Sequence, residues 1–202
     1  MPRGSKRYVQ LASRLAELQR NLLPFLPVPP AYRTTYIDQE LDATRAYIVL
    51  AHAEIEAFCE DIVNEKAKTA KDLFDSHQRV TPVLRRIVSY YVGKNRKSWS
   101  EVRTPSADTV RSASESHLTT VRENNGVKRQ NLERLLYPLG VVDAHMNATW
   151  LAEMDSFGAK RGDMAHRSGG VVTAPDPPGE VATVGRLLVG LLTLDRALGG
   201  LR

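Results

Sequence analysis

Cysteine is almost absent from this 202-residue chain, which contains one, Cys59. A single thiol excludes an internal disulfide framework and any zinc site built on cysteines. Its neighbours, AEIEAFCEDIV, predict a buried helical thiol, because free cysteine is among the most buried side chains. Long apolar runs are missing as well. The longest, LLVGLLTL, has eight residues, against the roughly 20 that a membrane span needs. No apolar stretch behind basic residues opens the chain, so no signal peptide is expected, and the protein is expected to be soluble and cytoplasmic. Strand patterns are lacking too. Apolar and polar residues alternate for no more than a few positions, and Asn-Gly occurs once, at Asn125-Gly126, between helical patterns.

What is present is a recurrent spacing of three and four. Tyr8, Leu11, Leu15, Leu18 and Leu22 form one stripe of a first helix at about 5–23. The four prolines of PFLPVPP then end it, since proline cannot continue a helix. A long helix follows at about 35–76, with Tyr47, Ala51, Ile55, Phe58 and Ile62 on its apolar face. Further helices are predicted at about 80–93 and 109–124, in VKRQNLERLLYPLG, at about 142–158, and at about 178–198, where Pro177 and Pro178 open the last one. Val142, Met146, Trp150 and Phe157 align roughly on the helix at 142–158. Hydrophobic residues at 42% and charged residues at 25% support a sizeable core. The expected architecture is an all-α bundle, divided into an N-terminal helix with a Pro-rich linker (1–30) and a helical domain (31–202).

Charge is segregated along the chain. Residues 38–75 carry ten Asp/Glu against four Lys/Arg, and residues 79–134 carry twelve Lys/Arg against five Asp/Glu. Such a division suits a polyanion on one surface, an oligomer in which opposite faces meet, or a merely solvated surface. The basic stretch KNRKSWSEVR (94–103) reads either as a phosphate-contacting loop with Trp99 available to stack on a base, or as a solvated loop anchored by its tryptophan.

The stretch FGAKRGDMAHRSGG (157–170) holds the strongest chemistry. Arg161 offers a planar fork that matches phosphate oxygens, and His166 is the side chain best suited to move a proton near neutral pH. On one continuous helix the two would stand about 140° apart. Gly158 and Gly162 argue against continuity. With Asp163 as an N-cap, MAHRS becomes a single helical turn and Arg161 folds back from the preceding loop towards His166. Spacing alone makes a weak signal.

In its wider context the stretch resembles a known motif. KRGDMAHRS before a final apolar helix looks like the R-x4–6-H motif of the HEPN superfamily. YIVLAHAEIEAFCEDIV (47–63) and NNGVKRQNLERLLYPLGV (124–141) resemble, in its RiboL-PSP-HEPN branch, a helix with an internal glutamate and an Asn-rich turn leading to a short helix. The resemblance spans roughly 34–198. It implies a helical bundle and a homodimer in which two Arg–His motifs face one RNA-cleaving cleft, without metal or cofactor. The products would be a 2′,3′-cyclic phosphate and a 5′-hydroxyl, and the setting a toxin–antitoxin or antiviral system with an antitoxin or defence-system protein as partner. The implied site residues are Arg161 and His166, with Asp163 standing in for a polar residue that the superfamily often carries where this chain has Gly162. Glu56 is the implied polar residue of the long helix near the cleft. A tyrosine modified in some toxins of the superfamily falls here at Ser168, so that silencing route is not expected. The alternative is a non-catalytic module that binds RNA or protein.

His52, Glu56 and Glu60 share one stripe at a spacing of four. A histidine and two carboxylates could hold a metal, but a solvated or salt-bridged helix face is the better reading. His77, His117 and His145 have no partner pattern and read as surface or packing residues. Asn124, Asn125 and Asn131 read as residues that fix a turn and a helix cap.

Overall fold

The computed structural model of the chain describes residues 4–24, 36–93, 105–141, 146–166 and 174–201, with the backbone alone at 165 and 166. The fold they form is all-α. Its helices are α1 (Lys6–Leu22), α2 (Asp38–His77), α3 (Pro82–Gly93), α4 (Ala107–Arg122), α5 (Arg129–Leu136), α6 (Ala148–His166) and α7 (Pro177–Gly199). A 3-10 turn, Tyr137–Leu139, extends α5. Among the described residues there is no strand, and no helix is long and apolar enough to cross a membrane.

α2 is the axis of the bundle. Its 40 residues extend about 60 Å at 1.5 Å per residue, and it packs against each of the other six α-helices. The apolar stripe expected from the sequence, Tyr47, Ala51, Ile55, Phe58 and Ile62, is buried throughout. Ile48, Val63, Ala67 and Phe74 widen it, because a helix with neighbours on several sides must be apolar over more than one face. Cys59 is buried as expected, and burial pushes its thiol pKa up to about 12, so it is an inert core side chain.

α1 belongs to the same core. Leu11, Leu15 and Leu18 are buried against the bundle, and α1 contacts both α2 and α7. Its first turn is tied down at long range: Asp195 of α7 accepts hydrogen bonds from Ser5 N (2.7 Å) and Ser5 Oγ (2.6 Å). Arg7 bridges to Asp61 and Glu65, and Arg14 to Glu54, across the groove between α1 and α2. These pairs are solvent-exposed and position the helix more than they stabilise it.

The largest departure from the sequence reading lies in α6. A helix was expected at 142–158, then a glycine-bounded turn. Instead α6 begins at Ala148 and runs unbroken to His166, through Gly158, Gly162 and Asp163. Asp163 is therefore an exposed residue of the last turn of α6 and is not the N-cap of a separate helical turn. Each internal glycine costs about 1 kcal/mol of helix propensity, a sum that tertiary packing readily exceeds. Met154 and Phe157 are fully buried, Met164 packs on the core, and Lys160 reaches Glu180 on α7 at 2.6 Å. Those anchors on both sides of the glycines hold the helix together. Val142 and His145 lie outside the described residues, as do the basic loop with Trp99, most of the Pro-rich linker, and Ser168.

α6 meets α7 where Trp150 lies over Gly190. The indole Nε1–H donates to Leu187 O (3.1 Å), and a Cβ built on Gly190 would stand 2.2 Å from the ring. Gly185, one and a half turns earlier, faces open space. Gly190→Ala is expected to lower stability by about 1–3 kcal/mol through overpacking. Gly185→Ala should raise it by up to about 1 kcal/mol through helix propensity. Chemical denaturation of the two variants beside the wild type checks both signs.

Candidate functional site

The polar stripe of α2 is turned inward. His52 is only 2% exposed, and its ring stacks on Phe157 of α6, with centroids 5.9 Å apart and planes at 29°. One turn beyond Phe157 on the same side of α6 stands Arg161, half-buried. Burial first, and the Arg161 charge second, hold the His52 pKa down to about 4. His52 is therefore neutral at physiological pH, and the 3.6 Å separation of its Nδ1 from Glu56 Oε2 is not an ion pair there. His52 Nδ1 and Arg161 Nε are both buried without a hydrogen-bond partner among the described residues.

Glu56 and Glu60 hold a turn. Glu56 Oε1 accepts the backbone N–H of Gly126, and Glu60 Oε1 accepts from Asn124 Nδ2 at 2.8 Å. Asn124 Nδ2 also donates to Gly126 O (3.0 Å), and Asn131 Nδ2 donates to Asn124 Oδ1 (3.2 Å). Gly126 sits at φ +127°, a conformation open to glycine and strained for other residues. Burial raises the Glu60 pKa, with the Asn124 hydrogen bond acting against it. The solvated or salt-bridged helix face expected for His52, Glu56 and Glu60 is thus corrected: one side chain is core, and two are acceptors for the chain that leads into α5. Asn124 and Asn131 fix a turn as expected, but no asparagine caps α5. Its first N–H group, that of Arg129, goes to Asp155 Oδ1 on α6 at 2.7 Å.

Lys160 and Glu180 fasten α6 to α7. Glu180 is buried, one of its oxygens takes the Lys160 ammonium, and its charge adds to burial in pushing the Tyr47 pKa up to about 12. These groups are structural. His117 is a packing residue, fully buried with Tyr91 Oη 3.3 Å from its Nδ1, and burial lowers its pKa to about 4.

Of the four residues expected in the site, Arg161 and Glu56 both act on His52, the first through its charge and the second at 3.6 Å from its Nδ1. Asp163 lies on the exposed side of α6. His166 is the last residue of α6, and its side chain lies outside the described residues. Because α6 is continuous, Arg161 and His166 are set about 140° apart around its axis. The fold-back of Arg161 from a loop is therefore overturned. His52 is the member that sequence reasoning put on the wrong side of its helix. Its signal was present, since it lies four residues after Ile48 and three before Ile55, both of them core.

The family model for RiboL-PSP-HEPN matches residues 10–178, which includes α6 and its arginine and histidine, and the chain belongs to that family. No curated protein and no solved structure matches the chain significantly.

The two buried histidines set a pH dependence. An unfolded histidine binds its proton near pH 6.5, whereas folded His52 and His117 refuse it until about pH 4. Between those values the unfolded state carries more protons, so stability is full above pH 6.5 and falls as the pH drops towards 4. The slope is at most about 1.4 kcal/mol per pH unit for each histidine. Urea midpoints measured across this window should fall with pH, and His52→Asn should remove about half of the slope.

Proposed function

We propose that this RiboL-PSP-HEPN chain is a metal-independent endoribonuclease that works as a homodimer, with Arg161 and His166 in the site. Membership of the family supports RNA cleavage or RNA binding as the class of function. The observation that carries the nuclease reading is Arg161. A guanidinium half-buried against a neutral histidine, with its Nε unsatisfied among the described residues, is an expensive group for a scaffold to keep. It is well suited to a substrate that brings negative charge.

The chemistry needs one base, one acid and a cation. A histidine takes the proton of the ribose 2′-OH, the 2′-oxygen attacks the adjacent phosphorus, and the 5′-oxygen leaves with a proton from the acid. The charge gathered on the non-bridging oxygens is balanced by arginine. Neither water nor metal is consumed, and the products are a 2′,3′-cyclic phosphate and a 5′-hydroxyl. One copy of α6 holds Arg161 and His166 on different sides of the helix, so a cleft shared by two copies supplies both proton carriers and both cations. Glu56 acts at a distance, through the segments it holds. A place in a toxin–antitoxin or antiviral system, with an antitoxin or defence-system protein as partner, rests on family resemblance alone.

Cleavage of a mixed cellular RNA pool in EDTA, with the product ends mapped, tests the reading. The wild type is expected to yield cyclic phosphate ends, and His166→Ala to lose at least about a hundredfold in rate. Arg161→Lys should fall by a similar factor, because an ammonium lacks the planar fork. A folded dimer that leaves RNA intact but retains it on a filter would turn the assignment to an RNA-binding module.

A further inference from the structure

The turn between α4 and α5 does more than connect them: it delivers a cation to α6. Lys128 is the residue just before α5, and its neighbours on either side are pinned. Gly126 N is held by Glu56, Val127 is fully buried, and Arg129 N is held by Asp155 of α6. The stem of Lys128 consequently crosses α6 at Gly158. A Cβ on Gly158 would lie 2.8 Å from Lys128 Cγ and 3.5 Å from Lys128 Cε. Glycine at this position, inside a helix that would otherwise favour alanine, is what admits the lysine stem. Lys128 is exposed and has no ion pair with any described residue, although Asp155 lies on the neighbouring turn and is occupied by Arg129 N.

Helix register relates this cation to the proposed site. Positions 158, 162 and 166 succeed one another at a spacing of four, so they follow one ridge of α6, about 12 Å from first to last and turning about 80° around the axis. At Gly162 no described residue stands within 4 Å of where a Cβ would be. Arg161 stands about 60° from Gly158 on the opposite flank of that ridge and about 140° from His166, with its charge acting on His52. Lys128 therefore brings a second cation, besides Arg161, to the start of the ridge that ends at His166.

We propose that Lys128 is a substrate-binding residue of the nuclease site, contacting a backbone phosphate that flanks the scissile one. This rests on the endoribonuclease reading and adds to it a determinant of affinity that is distinct from the arginine that meets the reacting phosphate. A strand whose cleaved linkage lies at His166 can pass over the uncovered backbone at Gly162 and place a neighbouring phosphate at the ammonium of Lys128. The contact is to phosphate, so it is indifferent to base sequence. It raises affinity without touching the chemical step.

The test uses the full chain carrying His166→Ala, so that RNA is bound and not cut, and a fluorescein-labelled single-stranded RNA of mixed sequence. Anisotropy gives the affinity as a function of salt, and cleavage by the His166-containing chain is followed in parallel. Lys128→Gln is expected to weaken binding about tenfold and to reduce the slope of log affinity against log salt by about 0.7, the release expected for one phosphate on a single strand. In the cleaving chain it should raise KM and leave kcat unchanged, and Lys128→Arg should restore affinity. Gly158→Ala separates this role from a structural one. It should weaken RNA binding by displacing the lysine stem while the lysine itself is retained. Adding it to Lys128→Gln should weaken binding no further. Wild-type affinity and salt slope in Lys128→Gln, in a chain that cleaves RNA, would overturn the assignment and leave the nuclease reading standing. A wild-type chain that neither binds nor cuts RNA would overturn both.

Discussion

Glu56 accepts the backbone N–H of Gly126, and the arrangement of the site follows from that hydrogen bond. A half-buried carboxylate on the central helix needs donors, and the 124–126 turn supplies one here and another to Glu60. With the turn fixed on α2, Val127 enters the core and α5 starts where Asp155 of α6 can receive its first N–H. Three helices are thereby locked through one short connection. The same bond leaves Glu56 beside His52 and indirectly sets the surroundings of Arg161. An acid of the long helix thus influences the candidate site by building its frame, whether or not it ever touches RNA.

The electrostatics of the frame are asymmetric in a useful way. His52 is packed where a positive charge would be costly, and it stays neutral under both burial and the field of Arg161. A protonated imidazole there would have competed with Arg161 for anions and repelled it. Lys160, immediately before Arg161, is neutralised by the buried Glu180 on α7. Of two consecutive cations on α6, one joins helices, and the other, Arg161, has no hydrogen-bond partner at its Nε among the described residues. The Lys160–Glu180 pair is best understood as an orienting device, since desolvating both groups offsets much of their attraction.

Most of the bundle was legible in the sequence because apolar stripes at spacings of three and four are long and regular here. The face Tyr47–Ile62, the burial of Cys59, and the proline-opened α7 came through with ends displaced by a residue or two. Two things did not, for different physical reasons. The glycines at 158 and 162 look like helix breakers, but local propensity is weak beside the burial of Phe157 and Met154 and the anchoring of Lys160. On α2, periodicity shows that His52, Glu56 and Glu60 share a stripe, yet it cannot say whether another helix lies over that stripe. Since α2 is contacted by all its neighbours, polar residues at its middle are drawn inside, and only the tertiary structure reveals their partners.

Continuity of α6 changes what the Arg–His pair means. In a turn, the two side chains could have met within one chain and formed a site alone. On an unbroken helix they diverge, and a single copy offers an arginine whose charge acts on His52 of α2 and a histidine on the ridge of Gly158 and Gly162. A reaction that needs both at one phosphate must then draw them from two copies, or from one copy together with a cation reached by another route. Under the proposed reaction, association of copies is one way to meet that need, and it would couple activity to protein concentration. The glycines of α6 add nothing to helix stability; Gly158 instead admits the stem of Lys128, which lies across the helix there.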